Sequence, residues 1–149
     1  MKKALVLTNG LYQTSDAKTA HGLVRGSERF LIAGIIDNTQ TANKDAGELL
    51  DSTHRNIPVF ADLAAALSTI KDADTLIIGV ATVGGKLPVE MLVIIKEAIS
   101  KGLSIVNGLH DYLNEHADLV ELALKNNSIL IDIRKPKKRE DLHFFTGDI

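Results

Sequence analysis

The chain has 149 residues, 45% of them hydrophobic and 24% charged, a balance that fits one globular domain and not a disordered segment. Cysteine is absent, which removes disulfides, thiolate nucleophiles and cysteine metal ligands. Lys+Arg 17 against Asp+Glu 19 gives a net charge of -2, and no run of 18 apolar residues occurs, so neither nucleic acid nor a membrane is expected as a partner.

The opening MKKALVLTNG has only four apolar residues in its core, Ala4 to Leu7, too few for a secretory leader. The expectation is a buried first strand over Ala4–Thr8 and a cytoplasmic location. A helix over about Asp16–Arg25 follows, then a strand over Arg29–Ile36 and a short helix over Asp45–Asp51. Ile57–Phe60 reads as a third strand, at an edge because Pro58 cannot donate to a ladder. Asp62–Ile70 is a helix with an aspartate cap and an alanine-rich body. Thr75–Ala81 is a strand whose continuous Leu76-Ile77-Ile78 run suits burial on both faces. Leu87–Lys101 carries Pro88 in its first turn, apolar Leu92, Ile95 and Ile99 at helical spacing, and Gly102 as its stop. Ser104–Asn107, a helix over Asp111–Lys125 and a strand over Ser128–Ile133 complete the series.

This strict βα alternation predicts a three-layer α/β fold with a mostly parallel six-stranded sheet and right-handed crossovers. The favoured strand order is 3-2-1-4-5-6, because the first, second and fourth strands are the most apolar. The domain is expected to end near residue 133. Residues 134–149 differ: they hold 5 bases and 3 acids, against 12 and 16 before them, and contain Phe144 and Phe145. A basic linker and an aromatic tail are expected there, packing on a partner subunit or leading to a further domain.

In such a sheet ligands bind outside the carboxyl ends of the strands. Asn9, Asp37, the loop Thr82–Lys86, and Asn107–His110 converge there. Asp37 closes the second strand, where a dinucleotide fold places its ribose carboxylate. Yet Asn9-Gly10-Leu11-Tyr12-Gln13 carries neither G-x-G-x-x-G nor a Walker A pattern. Asp37 therefore reads as a loop or cap residue, as a ribose ligand, or as a contact to some other ligand. Gly84, Gly85 and Lys86 offer a permissive backbone and a cation, an anion site or an ordinary turn. Lys18, His21 and Arg25 share one helix face beside Thr19 and Gly22, facing an anionic ligand or water. His110, after Gly108, is placed to act as a general acid or base, with no nucleophile beside it. No residue is assigned a catalytic role. His110, Asp111 and His116 lack the spacing of a helical zinc site, so no metal is expected.

Several stretches together resemble the N-terminal Rossmann-like domain of the DUF1611 family. They are D-A-K-T-A-H-G-L at 16–23, I-I-D-N-T at 35–39, K-D-A-G-E at 44–48, I-I-G-V-A-T-V-G-G-K-L-P at 77–88, N-G-L-H-D-Y-L at 107–113 and D-I-R-K-P at 132–136. The resemblance implies a first domain whose full-length relatives add a P-loop domain, absent from this chain. Some of those relatives are described as D-glutamate N-acetyltransferases using acetyl-CoA. It also implies binding roles for Lys18, Thr19, His21, Gly22, Asp37, Gly84, Gly85, Gly108 and His110.

The resulting expectation is a domain that binds a small anionic metabolite and is not catalytic alone. Acetyl-CoA or a nucleotide would be the cofactor of the whole family protein, and a homo-oligomer or a P-loop domain the protein partner. Two alternatives stand beside it: an NAD(P)-dependent oxidoreductase-type domain, and a structural or assembly domain.

Overall fold

A computed structural model describes residues 1–134. Six parallel strands, β1 (Lys2–Leu7), β2 (Phe30–Ile36), β3 (Val59–Phe60), β4 (Thr75–Ile78), β5 (Ser104–Asn107) and β6 (Leu130–Asp132), form one sheet in the order β3-β2-β1-β4-β5-β6. Both the three-layer class and the strand order agree with the sequence pattern. Five helices connect the strands: α1 (Lys18–Arg25), α2 (Ala46–Asp51), α3 (Leu63–Thr69), α4 (Val89–Ser100) and α5 (Ala117–Asn126). Right-handed crossovers put α1 and α2 together on one face and α3, α4 and α5 on the other.

Burial explains the centre. Ala4 to Leu7 of β1 and Leu76 to Ile78 of β4 are almost fully enclosed, as expected of strands covered on two faces. Asp62 caps α3 by accepting the Ala65 amide at 2.8 Å. Asp45 caps α2 through Glu48 N–H at 3.0 Å, and also accepts the amides of Arg55 at 3.0 Å and Ile57 at 2.8 Å. Asn127, at φ 56°, and Gly102, at φ 85°, turn the chain out of α5 and α4 in the left-handed region.

Several boundaries differ from the sequence pattern: α5 starts at Ala117 and not at Asp111, after a 3-10 turn over Leu113–Glu115, β6 is only Leu130–Asp132, and three others have local reasons. The third strand shrinks to Val59–Phe60, since Pro58 has no N–H to donate; its carbonyl accepts Ile35 N–H at 3.0 Å and it forms an isolated antiparallel bridge with Asp45. The first helix begins at Lys18, after a 3-10 turn over Ser15–Ala17 that Thr14 caps with its hydroxyl. The fourth strand ends at Ile78; Gly79 N–H still donates to Leu7 O of β1, its carbonyl accepts from α1, and Ala81 N–H reaches Asp16 O in the loop after β1.

Gly79 decides how closely α1 lies on the sheet. A Cβ there would stand 2.4 Å from Val6 Cγ1 and 3.0 Å from Ala20 Cβ. Only a glycine lets Ala20 sit against the strand, where its amide donates to Gly79 O at 3.1 Å.

At the far edge, Ile131 of β6 is 40% exposed, and the flanking Ile129 and Ile133 also face outward. The predicted basic and aromatic segment lies, from Lys135 onward, outside the described residues. No helix among the described residues is long and apolar enough to cross a membrane.

Candidate functional site

The strand order reverses between β1 and β4, so their carboxyl ends open a crevice. Its left wall is the loop after β1. Asn9 (φ 50°) and Gly10 (φ 89°) both take left-handed conformations, which turn the N–H groups of Gly10 and Tyr12 toward β2. The group they meet is Asp37, only 6% exposed. Its Oδ1 accepts from Thr8 Oγ1 at 2.7 Å, Gly10 N at 2.8 Å and Tyr12 N at 3.0 Å, and its Oδ2 accepts from Thr41 Oγ1 at 2.6 Å. Asp37 is thus an internal bracket between the β1 and β2 loops.

Tyr12 carries the bracket further. Its hydroxyl donates to Ala46 O of α2 at 2.7 Å, and its carbonyl accepts from His21 Nε2 at 2.5 Å. Facing a carbonyl, Nε2 must be the protonated nitrogen. The two rings meet edge to face at 5.2 Å. Burial pushes the Tyr12 phenol up to about 12, against a smaller opposing effect of Arg55. His21 is therefore turned toward Tyr12, while Gly22 and Arg25 are exposed on the outer side of α1.

Beyond the bracket the crevice divides. Ala81 N–H donates to Asp16 O at 2.8 Å, and these two residues belong to both of the clefts on either side. One cleft, of 450 Å³, is lined by Lys18, Thr19, Val80, Gly108, Leu109 and Arg134. The Arg134 guanidinium reaches back over it, Nε donating to Gly108 O. Two basic residues, one from the start of α1 and one after β6, so line a partly apolar hollow together with Asp16. The second cleft, of 430 Å³, is lined by Asn9, Leu11, Thr82, Val83 and Met91.

The loop after β4 is a closed turn. Gly84 (φ 64°) and Gly85 (φ 70°) supply its left-handed residues, and Thr82 Oγ1 donates to Lys86 O. Gly85 N–H bonds to Thr82 O and Lys86 N–H to Val83 O, so these two amides close the turn itself. A Cβ on Gly85 would stand 3.8 Å from His110 Cβ, which places the β4 and β5 loops side by side. His110 and Lys86 are both exposed.

Beneath them lie two carboxylates that sequence reasoning did not select. Asp111 accepts Leu87 N–H on Oδ2 at 2.8 Å and meets His116 Nε2 on Oδ1 at 2.8 Å. Burial works to raise its pKa, but the Leu87 amide, His116 and the Lys86 charge together hold it below the usual carboxylate range. Asp132 accepts from Asn107 Nδ2, Leu113 N, Asn114 N and Asn114 Nδ2 at 2.8–3.0 Å. Burial again opposes, and these donors again prevail, lowering its pKa. Asn107 is wholly buried and also donates to Asp111 O and accepts from Leu109 N. Asn107 is a structural bracket like Asp37.

Of the residues singled out, Lys18, Thr19 and Gly108 come together at the larger cleft, with Asn9 at the smaller one. His110, Gly84, Gly85 and Lys86 cluster on the adjoining rim. Arg134, the first base of the basic run, also reaches the larger cleft. A further group stands apart: one ligand atom each of Asp45, Glu48 and His54 lies within 4.8 Å of the others. Asp45 there already receives three amides, and His54 Nδ1 lies 2.7 Å from Glu48 Oε2. That geometry is a helix cap closed by an ion pair.

The chain matches, over residues 39–136, the family described as a domain of unknown function (DUF1611_N), Rossmann-like domain. It is 48% identical over 64 residues to a D-glutamate N-acetyltransferase of Pseudoalteromonas sp, a match covering 43% of this chain and 19% of that protein. The crystal structure of a DUF1611 family protein from Anabaena variabilis superposes with a TM-score of 0.79 at 30% identity, over 92% of this chain and 38% of that one. Aspartate semialdehyde dehydrogenase with NADP from Candida albicans superposes with a TM-score of 0.52 at 18% identity, over 89% of this chain and 42% of that one, a likeness of fold. The chain thus corresponds to well under half the length of these relatives.

Proposed function

Because this chain belongs to the DUF1611 family, as its N-terminal Rossmann-like domain, we propose that it binds the anionic end of a small metabolite in the cleft between Lys18 and Arg134, and contributes recognition rather than catalysis on its own. The observation that carries this reading is that those two basic residues line one hollow at the carboxyl edge of the sheet. Val80 and Leu109 supply apolar contact for a carbon skeleton, and Thr19 a hydroxyl for hydrogen bonding. The named relative points to D-glutamate or acetyl-CoA as the first ligands to try. His110 and Lys86, on the neighbouring rim, are placed to touch a ligand that extends past the cleft.

A second reading keeps the site and changes the ligand to an NAD(P)-type nucleotide, which the strand order and the switch-point crevice favour. Its phosphates would then lie on Lys18 and Arg134, and Asp37, both of whose oxygens are already engaged, would not serve as its ribose ligand. Calorimetric titration of the full chain with D-glutamate, acetyl-CoA and NADP separates the two. The first reading expects D-glutamate or acetyl-CoA to bind, with Lys18→Ala and Arg134→Ala each weakening binding roughly tenfold, the scale of one lost charge-assisted contact. NADP binding alone transfers the site to the second reading. Binding that neither substitution changes removes the cleft from both.

A further inference from the structure

In a dinucleotide-binding fold, the turn after the first strand points its backbone N–H groups at the ligand's pyrophosphate, with a helix start close behind. Here the same turn is built as an anion nest and already contains an anion. Asn9 and Gly10, both at positive φ, form the centre of a turn that Leu11 N–H closes on Thr8 O at 2.9 Å, leaving the Gly10 and Tyr12 amides free to point at one anion. The N–H groups of Gly10 and Tyr12 and the hydroxyl of Thr8 converge on a single oxygen, Asp37 Oδ1, at 2.7–3.0 Å. Thr41 satisfies the other oxygen. We infer that Asp37 is a built-in anion that occupies the phosphate position of the first turn, and that this closes the turn to the pyrophosphate of a dinucleotide.

Three features support it. The helix that would add its dipole to a phosphate begins only at Lys18, beyond a separate 3-10 turn. A second negative charge brought to the nest would lie against a carboxylate that, among the described residues, has no cation as a hydrogen-bond partner. Thr8 and Asp37 are both buried, so the bracket is a fixed part of the fold rather than a surface contact. The residue that stands in sequence where a ribose ligand would is thereby a specificity-determining one, acting by exclusion. The inference does not depend on what the Lys18–Arg134 cleft binds.

The test uses the amide resonances of Gly10 and Tyr12 in the labelled chain of 149 residues. In the wild type, these two amides should stay in place on addition of pyrophosphate or NADP, and saturable movement of them overturns the inference. In Asp37→Ala, which deletes the carboxylate, sodium formate should fill the vacated nest. The expected result is saturable displacement of both amides at millimolar formate, absent in the wild type, together with a rise in Tm over sodium chloride of equal ionic strength. If Asp37→Ala is unfolded in chloride, recovery of folding in formate supports the inference and failure to recover overturns it. Asp37→Asn, which keeps the shape and fills the nest, should fold and show no formate response at Gly10 or Tyr12. A response there overturns it too.

Discussion

The carboxylate of Asp111 and the imidazole of His116 meet at 2.8 Å across the turn that follows β5, and the other oxygen of the same carboxylate holds the amide of Leu87. One side chain thus ties the β4 loop to the entrance of α5. Asp111 has a lowered pKa, so its stabilisation is complete above the unfolded-state value near 4 and is lost as pH falls through the lower folded-state value. Asp111→Asn should cost about 1–2 kcal/mol at neutral pH, the scale of a buried charge-assisted hydrogen bond. The deficit should shrink as pH falls through the lowered folded-state value and the wild-type carboxylate itself becomes protonated. Urea denaturation at several pH values measures both.

Two glycines on facing elements should respond in opposite directions. A Cβ at Gly79 meets Val6 and Ala20 inside ordinary contact distance, and Gly79→Ala should destabilise the chain by about 1–3 kcal/mol. Gly22 lies within α1 with nothing within 4 Å of an added Cβ, and Gly22→Ala should stabilise by about 0.5–1 kcal/mol. Chemical denaturation of the two variants gives the comparison. Because Lys18 is carried on α1, Gly79→Ala should also weaken any ligand of the larger cleft, whereas Gly22→Ala should leave it unchanged.

Tyr12, pushed up to about 12 chiefly by burial, should ionise well above the value near 10 of a free phenol in an ultraviolet pH titration. A raised phenol pKa means that its contribution is intact below the unfolded value near 10 and is lost as pH climbs toward 12. Tyr12→Phe, which leaves Ala46 O without its donor, should lower stability by about 1–2 kcal/mol.

His54 supplies a titration near neutrality. Its pKa is raised, first by the hydrogen bond to Glu48 and then by the charge of Asp45. That stabilisation is present below about 6.5 and fades as pH rises through the folded-state value. Proton NMR should place its midpoint above that of a free imidazole, and Glu48→Gln should bring it down. His54→Gln should flatten the change in stability across this interval, by a small amount because the pair is exposed.

The architecture was legible because it depends on patterns that burial writes directly into the chain. Leu76-Ile77-Ile78 is apolar without alternation because helices cover both sides of that strand, whereas in β2 Leu31 is 52% exposed and continuous burial runs only from Gly34 to Ile36. Asp45 and Asp62 stand one residue ahead of helices they cap. The crevice was legible as a location, since it follows from where strands end. Individual roles were not. Asp37 and Asn107 have the residue types of ligand contacts and occupy their expected positions, yet their polar atoms turn inward to partners distant in sequence. His21, Lys18 and Arg25 share spacing, and only the path of the loop through Tyr12 decides that His21 turns away from the cleft. Asp111 and Asp132 carried a signal, acidic residues at the margins of otherwise apolar strands, that could have marked them as brackets. Arg134 lay in a run that read as a linker, and its reach across Gly108 depends on where β6 ends.

The central position of β1 also governs how the chain acquires its structure. β1 pairs on one side with β2, soon after it in the sequence, but on the other with β4, Ala4 lying opposite Thr75. A chain emerging from the ribosome can complete β3-β2-β1 while the other flank of β1 still has no partner, exposing an apolar edge until the middle of the sequence arrives. Non-local parallel pairing of this kind carries a large loop-closure entropy, which slows the rate-limiting step. The interval before β4 docks is therefore when the nascent chain is most open to aggregation and most in need of a chaperone.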